Sequence, residues 1–329
     1  MPGCITDVAG ISAGHAQDFE AVTGCTVLLF EEGTGGGTRG GIYYGGHASG
    51  SRACDLFREG HINDELHGLV LSGGSNYGLD AAGGVMGYLR DNGVGFPVGN
   101  AIVPIVPQAI IFDLGIGSPT RYPDYVMGYE AADNASDQSL DQGSVGAGTG
   151  ATVGKVRGID QAVKGGVGSA SLDTPFGRVG AVAVVNAVGD IVDPETEQPL
   201  YEINAQPNSD NDPQRDPRDE SDSERAERLF ENTTICAIAT EADLTKSELN
   251  WLAERADRAI QLTHRPAHHS YDGDVVFAIS TRRRNLEGEL EELGSVMEHV
   301  LIGAILSAIK NARTLAGVPS LRDLNNSID

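Results

Sequence analysis

Apolar residues along this chain follow two periods, one for strands and one for helices. Residues 22–30 (Val22-Thr23-Gly24-Cys25-Thr26-Val27-Leu28-Leu29-Phe30) are apolar and β-branched and predict a strand. A glycine-rich turn is predicted over 33–41, then a second apolar strand over 67–71 that ends at Ser72-Gly73-Gly74-Ser75. Leu79, Ala82, Val85, Met86 and Leu89 recur at helical spacing and predict an amphipathic helix. Residues 101–114 read as a buried strand pair interrupted by prolines, with Ile110-Ile111-Phe112 as its second arm. Residues 180–185 predict a strand of small side chains that lets its neighbours approach closely.

The stretch 204–225 differs in kind. It is filled with Asp, Asn, Pro, Ser, Glu and Arg and has almost no apolar content. Such a segment buries too little surface to offset its ordering entropy, which predicts a mobile surface loop. The composition then flips at 233–240 (Thr233-Thr234-Ile235-Cys236-Ala237-Ile238-Ala239-Thr240), which predicts a buried strand. Thr245-Lys246-Ser247-Glu248 is a capping box opening a helix with the stripe Leu249, Leu252, Ala253, Ala256, Ala259 and Ile260. A strand is predicted over 274–280. A last long helix carries Val296, Val300, Leu301, Ala304, Ile305, Ala308 and Ile309 on one face. Strands and helices mix throughout, without a repeat or a boundary, so 1–329 reads as one α/β (α+β) domain with the polar loop as an insertion.

Composition narrows the partners. The formal net charge of −24 argues against nucleic acid and anionic membranes, both polyanions. Lysine occurs only at 155, 164, 246 and 310, and an acidic, lysine-poor chain suits a protein that stays soluble in high salt. The 44 glycines follow no triplet period, so they indicate tight turns and close backbone approaches rather than a collagen-like chain. No run approaches the roughly 18 apolar residues of a membrane span. The N-terminus lacks a basic region followed by an apolar run, so no secretory signal is expected. Cys4, Cys25, Cys54 and Cys236 are scattered and form no CxxC pair. They read as free core thiols of a cytoplasmic protein, with neither a metal site nor a cofactor expected.

Several motifs exclude themselves. The run from Gly148 to Val156 resembles a phosphate loop, but Thr149 stands where the motif needs glycine and Val156 where it needs Ser or Thr. His264, His268 and His269 lie near one another without an HExxH, and read as loop or packing residues. No GxSxG elbow supports a serine triad. The Asn232-Thr233 junction offers more. A threonine hydroxyl is a poor nucleophile without an adjacent base. As a chain terminus it gains one in its own α-amine, whose pKa of about 7.7–8.0 leaves part of it unprotonated near neutrality. A polar loop feeding a rigid strand that begins Thr233-Thr234 is a plausible place for the required cut, although threonine at a strand start is by itself ordinary.

Asn232-Thr233-Thr234-Ile235, followed by Asp272-Gly273-Asp274, resembles the processing site and acidic pair of the DmpA-type aminopeptidase and nylon-oligomer hydrolase family. Also similar are Thr38-Arg39-Gly40-Gly41, then 71–79 (Leu71-Ser72-Gly73-Gly74-Ser75-Asn76-Tyr77-Gly78-Leu79), then Gly146-Ala147-Gly148 through Gly154-Lys155. Val184-Val185-Asn186 ahead of Gly189-Asp190 completes the series, in the family's order and over nearly the whole chain.

The resemblance implies an αββα sandwich of N-terminal-nucleophile type, related to ornithine acetyltransferase, that cuts itself into fragments 1–232 and 233–329. It implies a small amide or peptide substrate and a homo-oligomer of four or more copies. Thr233 becomes the nucleophile, and Asn186 an oxyanion donor, a role typically worth about 2.7–4 kcal/mol. Lys155 stabilises negative charge or tunes the amine. Asp272 and Asp274, at i and i+2, share a face and orient the Thr233 amine and hydroxyl. Bland readings stand beside these: a turn for Asp-Gly-Asp, a turn cap for Asn186, a surface cation for Lys155. Tyr77 is a candidate pocket residue. Phe112 stands where nylon-hydrolysing relatives carry tyrosine, which puts that substrate in doubt. An acyltransferase and an uncleaved binding protein are the alternatives.

Overall fold

The computed structural model describes residues 2–32, 37–201 and 232–326. The predicted loop 204–225 and the first part of the predicted glycine turn lie outside the described residues.

Among the described residues two facing sheets, each closed by a two-residue strand, are built on nine further strands. They are β1 (Ile11–Asp18), β2 (Thr23–Phe30), β3 (Thr38–Tyr44), β4 (Gly68–Ser72), β5 (Gln108–Ile110), β6 (Gly166–Thr174), β7 (Gly177–Asn186), β8 (Thr233–Ala242) and β9 (Val275–Arg284). One sheet runs β1-β2-β4-β5 and ends at the short strand Ser51–Arg52; the other runs β6-β7-β8-β9-β3 and ends at Glu65–Leu66. In the second sheet β8 and β9 are parallel while the pairs on either side are antiparallel. The helices α1 (Ala81–Asp91) and α2 (Tyr125–Asp133) cover the first sheet. The second is covered by α3 (Lys246–Thr263) and α4 (Leu290–Lys310), and the short α5 (Leu321–Asn326) follows.

Strand alternation explains the layering. In β8 the odd residues Ile235, Ala237 and Ala239 join Leu28, Leu69 and Leu71 of the other sheet in the central core. The even residues Cys236 and Ile238 face α3 and α4, packing with Leu252, Ala256, Leu301 and Ile305. Both faces are buried, so the strand reads as a continuous apolar run, as parallel-paired central strands do. The result is the expected αββα sandwich.

The predicted elements over 22–30, 67–71, 79–89, 180–185, 233–240, 274–280 and 296–309 all appear, with shifted ends. The Thr245 capping box is present, the Thr245 hydroxyl accepting from Glu248 N at 3.3 Å. Two readings need correction. Residues 38–41 are strand rather than turn, because Gly40 and Gly41 thin β3 between its neighbours. A Cβ on Gly41 would lie 2.4 Å from Asn250 N and 2.4 Å from the Leu249 carbonyl carbon, so this glycine lets α3 settle on the sheet. The expected strand pair over 101–114 is not a pair: Ala101–Val103 forms an exposed hairpin with Phe96–Val98, while Gln108–Ile110 enters the first sheet beside β4. Periodicity also missed β1, β6 and α2. The sequences of β1 and β6, ISAGHAQD and GVGSASLDT, have weak strand propensity, and burial against neighbours decides their state.

Gly41→Ala is expected to destabilise the fold by about 1–3 kcal/mol through overpacking at the α3 contact, read as a lower denaturant midpoint.

Candidate active site

Three backbone segments converge at one end of the second sheet: the last residue of β7, the first of β8, and the turn that enters β9. Asn186 pairs with Thr233 across the antiparallel ladder, and in the parallel ladder Ile235 pairs with Val275. Stepping back along both parallel strands sets Gly273 beside Thr233 and Asp274 beside Thr234. Alternation sends Thr233 toward the inter-sheet core and Thr234 toward the helices, where the Thr234 hydroxyl meets His264 Nε2 at 2.9 Å.

The peptide carbonyl of Asn232 is held from two sides. Thr233 Oγ1 donates to it at 2.5 Å and Gly273 N donates at 3.0 Å. Asn232 and Thr233 are both buried. Glycine at 273 is required by this approach, since a Cβ there would stand 2.7 Å from Thr233 Oγ1 and 3.1 Å from the Ala48 carbonyl oxygen.

Asn186 is the hub next to the threonine. Its Oδ1 accepts from Thr152 N at 3.0 Å and from Lys155 Nζ at 3.1 Å, and its Nδ2 donates to the Phe112 carbonyl at 3.0 Å. These contacts fix the amide orientation, oxygen toward the cation and nitrogen toward Phe112. Phe112 therefore enters the site through its main chain. Its neighbour Asp113 accepts from Gly74 N and Thr23 Oγ1, both at 2.7 Å, tying this strand end to the Gly73-Gly74 turn. Burial pushes the Asp113 carboxyl up to about 6. Lys164, wholly buried, donates to the carbonyls of Thr149 and Ala151 and shapes the loop that presents Thr152 and Lys155. Desolvation lowers this ammonium to about 7.

Lys155 is buried rather than a surface cation, and so are Lys164 and Lys246. Lys246 Nζ donates to the carbonyls of Leu56, His61 and Asn63. Of the four lysines only Lys310 is exposed. All four cysteines are free and buried.

The acidic pair departs from its expected contacts. Asp272 and Asp274 precede β9, and their carboxylates bond away from the Thr233 hydroxyl. Asp274 Oδ1 accepts from Thr234 N at 2.7 Å, and its Oδ2 meets His268 Nδ1 at 3.1 Å. Asp272 Oδ2 accepts from His269 N at 2.6 Å within its own turn, while its Oδ1 is buried without a hydrogen-bond partner. The residue between them, Gly273, is the one that faces Thr233. Burial and the charge of Asp274 raise the Asp272 carboxyl to about 6.

His268, read from sequence as a packing residue, belongs to this cluster. Its Nε2 meets Asp257 Oδ2 of α3 at 2.8 Å, opposite the Asp274 contact. No spacing rule links residues 257, 268 and 274, so only the folded chain reveals them. Tyr77 lies in the turn after β4, exposed, its ring stacked on Tyr122 at a centroid distance of 4.9 Å.

Solved structures share this architecture. The L-aminopeptidase D-Ala-esterase/amidase from Ochrobactrum anthropi superposes with a TM-score of 0.71 at 19% identity, covering 99% of this chain and 93% of its own. A Burkholderia sp. beta-aminopeptidase superposes with a TM-score of 0.70 at 18% identity, covering 100% and 95%. With a buried strand-end threonine, a lysine and an amide side chain gathered at one edge, this αββα sandwich is an N-terminal-nucleophile hydrolase fold. Sequence narrows the class. An uncharacterized aminopeptidase of Mycobacterium leprae is 34% identical over 354 residues, 96% of this chain and 92% of its own length. A 6-aminohexanoate-oligomer endohydrolase of Kocuria sp. (strain KY2) is 31% identical over 322 residues, 92% and 85%. The model of peptidase family S58 matches residues 3–321, and the chain belongs to that family. It is a hydrolase acting on amide bonds.

The raised Asp272 carboxyl has a consequence for stability. Its native pKa near 6 exceeds the unfolded value of 3.8, so the folded state binds the proton more tightly. Stability from this group is therefore full below the unfolded value and declines as pH rises through about 6. Asp272→Asn is expected to raise the Tm by roughly 1–3 °C at pH 8. At pH 4 thermal scans of the two proteins should coincide.

Proposed function

We propose that this chain is a self-processing N-terminal-nucleophile aminopeptidase or amidohydrolase whose nucleophile is Thr233. The observation that carries the reading is the Asn232 carbonyl, held between the Thr233 hydroxyl and the Gly273 amide.

In the uncut chain Thr233 Oγ attacks the Asn232 carbonyl carbon while Gly273 N–H receives the charge that develops on the oxygen. The bond from that carbon to Thr233 N breaks, the nitrogen gains the proton, and an ester remains. Water hydrolyses the ester, leaving an Asn232 carboxylate and a free Thr233 α-amine. The fragments are 1–232 and 233–329. The amine then takes the hydroxyl proton as Oγ attacks the carbonyl carbon of an incoming amide, and passes it to the departing amine as the substrate C–N bond breaks; water hydrolyses the resulting acyl-enzyme ester. A substrate carbonyl would take the place of the Asn232 carbonyl and meet the same backbone donor, with Asn186 presenting its side-chain amide beside it. Lys155 fixes the Asn186 orientation and adds positive charge. The acidic pair serves the new amine more than the hydroxyl: Asp274 holds the amide one residue along, and Asp272 exchanges a proton close to neutrality.

The substrates in this reading are small peptides, amino-acid amides or related linear amides. Its support is a family relative named as an aminopeptidase and others named for 6-aminohexanoate oligomers. Phe112 offers a carbonyl rather than a side-chain hydroxyl, which favours the peptide side, and Tyr77 is the candidate pocket residue. A homo-oligomer also belongs to the reading, supported by the exposed apolar hairpin bearing Phe96, Val98, Ile102 and Val103. Four buried thiols favour a cytoplasmic location. A surface with a single exposed lysine under a net charge of −24 favours a salt-rich one.

Intact-mass measurement of the purified protein beside Thr233→Ala is the test. The parent is expected as two fragments, the second beginning at Thr233, and the variant as one chain without amidase turnover. An uncut parent that hydrolyses amides, or a variant that keeps full activity, would exclude this chemistry.

A further inference from the structure

The two carboxylates nearest the back of the site, Asp257 on α3 and Asp274 before β9, are almost fully buried, with 1% and 4% of their surfaces exposed. Two buried anions this close to one ring need a compensating charge. His268 stands between them, Nε2 on Asp257 and Nδ1 on Asp274. A neutral imidazole donates from one nitrogen only, whereas the cation donates from both, so the geometry suits an imidazolium.

Backbone and packing are shaped around this contact. His268 takes φ +53°, a left-handed conformation unfavourable for a non-glycine residue. Gly45, just past β3, leaves the space it needs: a Cβ there would lie 2.4 Å from Asp257 Oδ1 and 2.6 Å from His268 Cε1. Gln261 Nε2 adds a bond to Asp257 Oδ2 at 3.0 Å.

We propose that His268 is a positioning residue: bridging Asp257 and Asp274, it locks the Asp274 carboxylate onto the Thr234 amide and so holds Thr233 in register for attack. The inference rests on Thr233 being the nucleophile. The chain of contacts is continuous, from α3 through Asp257, His268 and Asp274 to Thr234 N, one residue from the reacting hydroxyl.

The electrostatics agree. Hydrogen bonds to Asp257 and then Asp274 raise His268 to about 10, keeping it cationic through neutrality. The other groups facing the clamp are His264 on the helix side of β8, lowered to about 4 by burial, and Asp272 in the same turn. Tyr43 on β3 and Cys236 on β8 are both raised, by burial first and by Asp257 among nearby charges. None of these four supplies a positive charge at neutral pH, so His268 alone among them balances the two carboxylates.

The test uses the full-length protein, with self-cleavage followed by intact mass and turnover by an amino-acid p-nitroanilide. His268→Gly removes the ring and suits the positive φ. It is expected to slow self-cleavage and lower kcat by about ten- to a hundred-fold, with KM changed less than about two-fold. Imidazole in the buffer should restore turnover by refilling the space between the two carboxylates. Asp257→Asn keeps the shape and removes the first partner, and carries the test if the glycine variant does not fold. It should bring a new alkaline limb into the range below pH 10, because the imidazolium now loses its proton earlier. Parent-like rates and limbs would overturn the proposal, as would a loss that tracks a lower Tm and ignores imidazole. A parent that depends on Thr233 but is indifferent to His268 and Asp257 sinks this inference alone; activity that survives Thr233→Ala sinks the nucleophile as well.

Discussion

A single carbonyl oxygen at the start of β8 organises the site. It accepts from the hydroxyl of the following residue and from the amide of Gly273 on the neighbouring strand. Both donors are positioned by backbone register, with no long side chain involved. Three segments must end at the same level for this to hold, and a slip of one residue would turn Thr233 to the helical layer and Thr234 inward. The two-sheet sandwich enforces the register, because each face of β8 is committed to a different core. Packing in this molecule is thus what holds the Thr233 hydroxyl against the Asn232 carbonyl.

Around that carbonyl the chain spends its rare cations indoors. Lys155, Lys164 and Lys246 each direct their ammonium groups at oxygen atoms of the backbone or of Asn186, tying together the short segments between the longer strands and helices. The exposed basic groups are mostly arginines, whose ion pairs on the surface contribute little each. An acidic exterior and a lysine-ordered interior are therefore separate solutions to separate problems. The first governs solubility, and the second gives buried carbonyls their donors.

The carboxylates at the site divide in the same spirit. Asp274 is bonded to a backbone amide and to His268, while Asp272 has one unpaired buried oxygen and a raised pKa near 6. Two acids two residues apart thereby sit in different hydrogen-bonding surroundings, a difference their spacing in the sequence does not announce.

Much of this was legible in the chain itself. The apolar runs at 67–71, 180–185 and 233–240, the capping box at Thr245 and the family's ordered landmarks were enough to fix the layered architecture and the class of reaction. Local patterns carry that information because burial on both faces of a strand, or on one face of a helix, leaves a periodic trace. Spacing also set Asp272 and Asp274 two residues apart ahead of β9. What it left open was which side each would face, and so Gly273, an unremarkable turn residue in sequence, emerged as the donor facing Thr233. Asp257 and His268 were invisible for the same reason: they come from a helix and a turn whose meeting depends on how α3 lies across β3 and β9. The role of Phe112 passed from its ring to its carbonyl. Sequence periodicity records which residues are buried, whereas the pairing of polar groups across elements is decided only when the layers close.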